Sequence, residues 1–152
     1  MNRKNFFAFV AFIALFFTTS FTVNASADGD PWTADQLMEP QALVTIIRAN
    51  KGNALPVILN IGSVESVKGA ITTGAVSEPE GFAEFKKQLK GIRKDKLIVI
   101  YCGCCPLFKC PNIRPAFKEL AAEGFTNVKV LNLKKNLQTD WVDKNYPMQD
   151  VR

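Results

Sequence analysis

Histidine is absent from all 152 residues of this chain. With it go the usual general base for a cysteine or serine nucleophile and the commonest nitrogen ligand for zinc, copper or haem. Any site must therefore be assembled from thiols, backbone N–H groups and the charges of lysine, arginine and carboxylates. The chain also lacks an apolar run of spanning length: the longest, Phe6 to Phe17, falls short of the roughly 20 residues a transmembrane helix needs. No lysine-rich run and no basic-aromatic alternation is present, which sets nucleic acid aside as a partner. Cysteine is scarce as well, with four in all.

What is present at the N-terminus has three parts: a basic start with Arg3 and Lys4, the apolar run, and the small-residue pattern Ala25-Ser26-Ala27. This is the layout of a secretory signal peptide cleaved after Ala27. No cysteine stands at the cleavage position to take a lipid, so no stable membrane insertion is expected after cleavage. Residues 28–152 then form one domain, long enough to bury a core and too short for a second. Its expected location is exported, periplasmic or secreted, where disulfides persist.

Along the mature chain, Thr33-Ala34-Asp35-Gln36 has the form of a capping box and predicts the start of a first helix. Leu43, Ile46 and Ile47 continue helical spacing to Asn50, with Pro40 breaking or restarting the helix and Lys51-Gly52-Asn53 ending it. Val57-Ile58-Leu59-Asn60-Ile61 reads as a buried strand, and Gly69 to Val76 as loop and a short strand. Pro79 opens a helix with Phe82, Phe85 and Leu89 on one face. Leu97 to Tyr101 is the clearest strand. A helix carried by Ile113, Ala116, Phe117 and Leu120 ends at Gly124, and Val128 to Leu133 forms another strand. Strands alternating with helices predict an α/β fold with a parallel sheet covered on both faces. Four of the five residues Phe82, Phe85, Phe117, Phe125 and Trp141 fall at helix-face or strand-flank positions that a core needs, so the set is assigned to packing and not to a ligand.

All four cysteines lie in Cys102-Gly103-Cys104-Cys105-Pro106-Leu107-Phe108-Lys109-Cys110, directly after the strand Leu97 to Tyr101. The end of a buried strand, with a helix beyond it, is where parallel α/β sheets present reactive groups. Thiolates are favoured near cations and helix N-termini, and Lys109 and Arg114 are the candidate anion-stabilising residues. Cys102, at the strand end, and Cys110, just before the next helix, both have such access, and Cys104, Cys105 and Cys110 are candidate resolving, disulfide-forming or accessory thiols. A Cys104–Cys105 bridge would be strained, because neighbouring Cα atoms lie about 3.8 Å apart, below the usual bridged range. A bond from Cys110 to Cys102, Cys104 or Cys105 is easier. Cys102, Cys105 and Cys110 also form a C-x2-C-x4-C array, with Cys104 as a fourth thiolate, acceptable to zinc, copper(I) or an iron-sulfur cluster.

The order of these pieces resembles the rhodanese family of sulfurtransferases. Ile58-Leu59-Asn60-Ile61-Gly62 is similar to the family's second strand, and Lys68-Gly69-Ala70-Ile71 to its short Gly-Ala-Ile segment. Leu97 to Cys102 resembles the strand that ends in the active cysteine. Ala116-Phe117-Lys118-Glu119-Leu120 with Gly124-Phe125-Thr126-Asn127-Val128 resembles the helix and turn that follow, and Trp141 with Tyr146-Pro147 the C-terminal signature. The resemblance implies a three-layer rhodanese-like α/β domain with a central, mostly parallel sheet. It further implies sulfane sulfur carried as a persulfide on Cys102, passed between a small sulfur-containing substrate and an acceptor thiol or a partner protein of the exported compartment, with no cofactor required. The alternative is a non-catalytic rhodanese-like binding module whose loop is disulfide-locked or holds a thiophilic metal. Four departures stand out: Asn112 where the family carries an arginine, the extra cysteine-bearing residues before it, Asn60 and Ser63 in place of an aspartate and an arginine, and Lys134-Lys135 in place of paired glycines.

Overall fold

The structure is a computed structural model and describes residues 29–49 and 55–150. The signal peptide assigned to residues 1–27 and the helix end assigned to Lys51-Gly52-Asn53 lie outside the described residues.

Five strands form one sheet: β1 (Leu37–Met38), β2 (Val57–Asn60), β3 (Ala70–Thr72), β4 (Ile98–Tyr101) and β5 (Val128–Leu131), in the order β1-β5-β4-β2-β3. Every pairing within it is parallel, with Ile58 opposite Val99 and Ile100 opposite Val130. Four helices cover it: α1 (Pro40–Ala49), α2 (Pro79–Leu89), α3 (Ile113–Ala122) and α4 (Leu137–Asp140). The result is a three-layer α/β domain. Among the described residues, no helix is long and apolar enough to cross a membrane.

Because successive strand residues point to opposite faces, each strand feeds two cores. Leu59, Ile98, Ile100, Val128 and Val130 face α2 and α3, where Phe85, Leu89, Ile113, Phe117 and Leu120 are buried. Ile58, Val99, Tyr101 and Leu131 face α1 and α4, where Leu43, Val44, Leu137 and Trp141 are buried. Phe85 and Trp141 are fully buried, and Phe117 and Phe125 nearly so, as the packing assignment requires; Phe82 is partly buried and stacks on Phe85. Each fully buried side chain of this size contributes about 1.5–3 kcal/mol relative to an exposed one. The C-terminal segment is pinned by the Trp141 indole, which donates to the Pro147 carbonyl at 3.0 Å and packs edge-on against Tyr146.

The N-terminal part differs from its expectation. The capping box at Thr33 is present, with its backbone N–H donating to Gln36 Oε1 at 2.9 Å, but it opens only a 3-10 turn, Ala34–Gln36. Leu37 and Met38 then pair with β5 as the edge strand, and Pro40 begins α1 instead of interrupting it. Proline at the first helical position wastes no donor, since that N–H would have no intrahelical partner. The strand expected over Val128 to Leu133 stops at Leu131.

Candidate active site

β4 is buried along its whole length and delivers Cys102 at its C-terminal end, on the α2/α3 side of the sheet. The next residue turns the chain sharply: Gly103 has φ +80°, and a Cβ there would stand 2.8 Å from Leu137 Cβ and 3.1 Å from Val64 Cγ2. Only glycine suits that conformation and that space. The Gly103 carbonyl accepts the Leu137 N–H at 2.8 Å, which locks the turn to the start of α4. Beyond it the loop makes a 3-10 turn, Leu107–Lys109, held to the end of β5 by the Leu107 N–H on the Leu133 carbonyl at 3.3 Å. Phe108, at the loop's outer face, is 64% exposed.

The loop returns its thiols onto Cys102. The Sγ atoms of Cys102 and Cys104 are 3.2 Å apart, and those of Cys102, Cys104 and Cys110 all lie within 4.8 Å of one another. Cys102 and Cys110 are each 2% exposed, Cys105 is half-buried and Cys104 is exposed. All four are free thiols. Cys105 touches Cys104, at 3.3 Å between sulfurs, and the three-thiol cluster uses Cys104 in the place that the C-x2-C-x4-C spacing gave to Cys105.

Cys102 is the acidic member. The Cys110 thiol donating to it is the largest influence; burial opposes, and the Cys104 backbone N–H, the Asn112 amide and the Cys104 thiol add to the lowering, to a pKa of about 5. The neighbours are displaced the other way. Cys104 is pushed up to about 12 by the partial desolvation of its sulfur within the loop and by its hydrogen bonds with Cys102 and Cys105, and Cys110 is raised by the hydrogen bond it gives Cys102 and by burial. The cluster therefore carries one negative charge, on Cys102, solvated by protonated thiols and N–H donors in place of water.

Asn112 is the residue whose part sequence reasoning missed. Buried just before α3, it donates from Nδ2 to Cys102 Sγ at 3.1 Å and accepts the Ser77 N–H on Oδ1 at 2.7 Å. Its place just before the helix that follows the cysteine loop was the available signal, yet only the fold shows the amide aimed at sulfur. Gly62, after β2, is a second such residue: a Cβ there would sit 2.7 Å from both the Cys102 carbonyl oxygen and Sγ, so the close approach of the two strand ends requires its absence. Asn60 shapes that neighbouring loop, accepting the Gly62 N–H at 3.1 Å and donating to the Val64 carbonyl at 2.8 Å.

No protein-family model matches this chain, and no curated protein matches its sequence. A solved structure of EanB, a Tyr-to-Phe variant with a cysteine persulfide in a tetrahedral intermediate state with ergothioneine, matches at TM-score 0.50 and 23% identity. The match covers 76% of this chain and 28% of that one. The likeness is one of fold.

The two cations expected to serve the anion are placed otherwise. Arg114 gives its guanidinium to Asp30 and to the Phe108 carbonyl, and lies over the Trp32 ring. Lys109 Nζ lies 5.6 Å from the centroid of the Phe108 ring. Neither is among the groups that lower Cys102, so the thiolate is held by neutral donors. Two spaces adjoin the cluster. A void of about 10 Å³ is lined by Cys102, Cys105, Cys110, Ile113 and Leu133, at the lower limit for one water-sized atom. An open groove of about 470 Å³, lined in part by Ser63, Glu65, Cys104, Asn136 and Gln138, reaches Cys104.

Proposed function

We propose that the protein is a rhodanese-like sulfurtransferase or persulfide carrier, exported once residues 1–27 are removed, that holds sulfane sulfur on Cys102. The observation that carries this reading is the buried Cys102 sulfur at the end of β4, which takes the Asn112 amide at 3.1 Å and lies 3.2 Å from the Cys104 sulfur, surroundings that favour a thiolate. In the loading step the Cys102 thiolate attacks the outer sulfur of a donor such as thiosulfate; the new S–S bond forms as the donor's S–S bond breaks and sulfite leaves with the electron pair. In the second step an acceptor thiolate attacks the outer sulfur, and Cys102 departs as thiolate. The donors around Cys102 suit the anionic outer sulfur as they suit the thiolate, and the adjacent void offers one atom's room. That a protein of similar fold carries a cysteine persulfide supports the reading.

The test is intact and peptide mass spectrometry of reduced protein treated with thiosulfate or inorganic polysulfide. One added sulfur on Cys102, absent from Cys102→Ser, is expected; no persulfide on any cysteine overturns the reading. The Cys102, Cys104 and Cys110 cluster also favours a second reading, a module that holds a thiophilic metal on three soft ligands. Stoichiometric metal in protein purified without oxygen, removed only by chelators that also free the thiols, would establish it in place of sulfur transfer.

A further inference from the structure

Cys102 and Cys104 differ in who can reach them. Cys102 is buried, whereas Cys104 is exposed and lines the open groove. Gly103, held at φ +80° against Leu137, folds the two onto each other with sulfurs 3.2 Å apart. Closing that contact to a bond of about 2.0 Å needs only a small side-chain movement. Cys110 also neighbours Cys102 but is itself buried, so a bridge to it would offer no sulfur to an outside thiol.

We propose that Cys104 is a resolving thiol that discharges the sulfane sulfur of Cys102 as hydrosulfide, leaving a Cys102–Cys104 disulfide that a dithiol reductant reopens at Cys104. The inference rests on the persulfide reading above. Cys104 Sγ attacks Cys102 Sγ, the bond from Cys102 Sγ to the outer sulfur breaks, and that sulfur leaves with the electron pair. The Cys104 proton goes to the departing sulfur, so persulfide anion plus thiol gives disulfide plus hydrosulfide. The sulfane sulfur is reduced to sulfide and the two cysteine sulfurs are oxidised to the disulfide level, with no other oxidant.

Resetting uses the same asymmetry. A thiolate of an external dithiol, small molecule or protein, enters the groove and attacks Cys104 Sγ, and Cys102, whose sulfur takes the Asn112 amide at 3.1 Å, leaves as thiolate. The reductant's second thiol then displaces Cys104 and the reductant departs as its own disulfide. The class of reaction that must supply this protein in each cycle is therefore dithiol oxidation, and its product is free sulfide.

The test treats reduced wild-type and Cys104→Ser protein with one equivalent of inorganic polysulfide without oxygen, followed by intact mass, bridge mapping and trapping of sulfide. Wild type should end lighter by two hydrogens, bridged between Cys102 and Cys104, with sulfide released. Cys104→Ser should stop as a persulfide, heavier by one sulfur, and dithiothreitol should then be needed to free the sulfide. A persistent persulfide on wild type, or bridge closure and sulfide release by Cys104→Ser at the wild-type rate, overturns the resolving role alone. Absence of sulfur uptake by both proteins overturns the persulfide reading and this inference with it.

Discussion

Tyr101 and Cys102 are consecutive residues at the end of one strand, both buried and both acids, and the fold drives them in opposite directions. Tyr101 faces α1 and α4, where burial pushes its phenol up to about 12 although its oxygen accepts the Val67 N–H at 2.9 Å. Cys102 faces α2 and α3, and its thiol falls to about 5 in spite of burial. Depth is common to the two; the number of donors is what separates them. The Val67 N–H and the Ser66 side chain leave desolvation dominant at Tyr101, whereas two thiols, a backbone N–H and a side-chain amide overcome it at Cys102. The same sheet end thus holds a structural anchor on one face and an acidic thiol on the other.

The comparison can be broken at either face. Cys102→Ser should abolish sulfur uptake altogether, read as loss of the added sulfur atom by mass spectrometry, because serine at this site has no thiolate to form. Gly62→Ala should cost about 1–3 kcal/mol in chemical denaturation, since the new methyl overlaps Cys102 at both its carbonyl oxygen and Sγ, and should slow alkylation of that thiol. Tyr101→Phe removes the acceptor of the buried Val67 N–H and should cost a similar 1–3 kcal/mol. In contrast to Gly62→Ala, it should leave the Cys102 titration where it is, and a shift there would show that the two faces are not independent.

Asn112→Ala removes one donor and should raise the Cys102 pKa by about one to two units, the worth of a hydrogen bond to a charged group, followed by thiolate ultraviolet absorbance. In the unaltered protein the same titration should place the inflection near 5. Because this pKa lies below the ordinary thiol value, ionised Cys102 stabilises the folded state fully above that ordinary value, and the contribution is lost as pH falls through about 5. Cys104 has the opposite sign: its raised pKa contributes below the ordinary value and is lost as pH rises towards about 12. The smallest effect is expected from Arg114→Ala, which should not move the Cys102 titration, its guanidinium being taken up by Asp30.

Much of this arrangement was legible in the chain. Runs such as Leu97 to Tyr101 and the spacing of Ile113, Ala116, Phe117 and Leu120 fix strand and helix because burial on both faces leaves a strong apolar signature. Leu37-Met38 was not legible, since a two-residue edge strand has no period to read. The short helix α4 likewise rests on its cap, the Asn136 side chain accepting the Thr139 N–H at 2.8 Å, more than on any apolar pattern. At the site, strand position placed Cys102 at the end of β4, where the structure has it. Nearness in sequence misdirected the choice of Lys109 and Arg114, whose long side chains settle on Phe108, Asp30 and Trp32. The donor role of Asn112 depends on a backbone path that no spacing rule encodes.

The order of strands has a consequence in time. Among the described residues, β1, the first strand, pairs only with β5, the last, on the far side of the strand that leads into Cys102. Contacts of such long sequence separation form late in folding. The four thiols are therefore synthesised and, in an emerging chain, exposed before the sheet around them can close. Burial of Cys102 and Cys110 therefore waits on a stretch of chain that follows them.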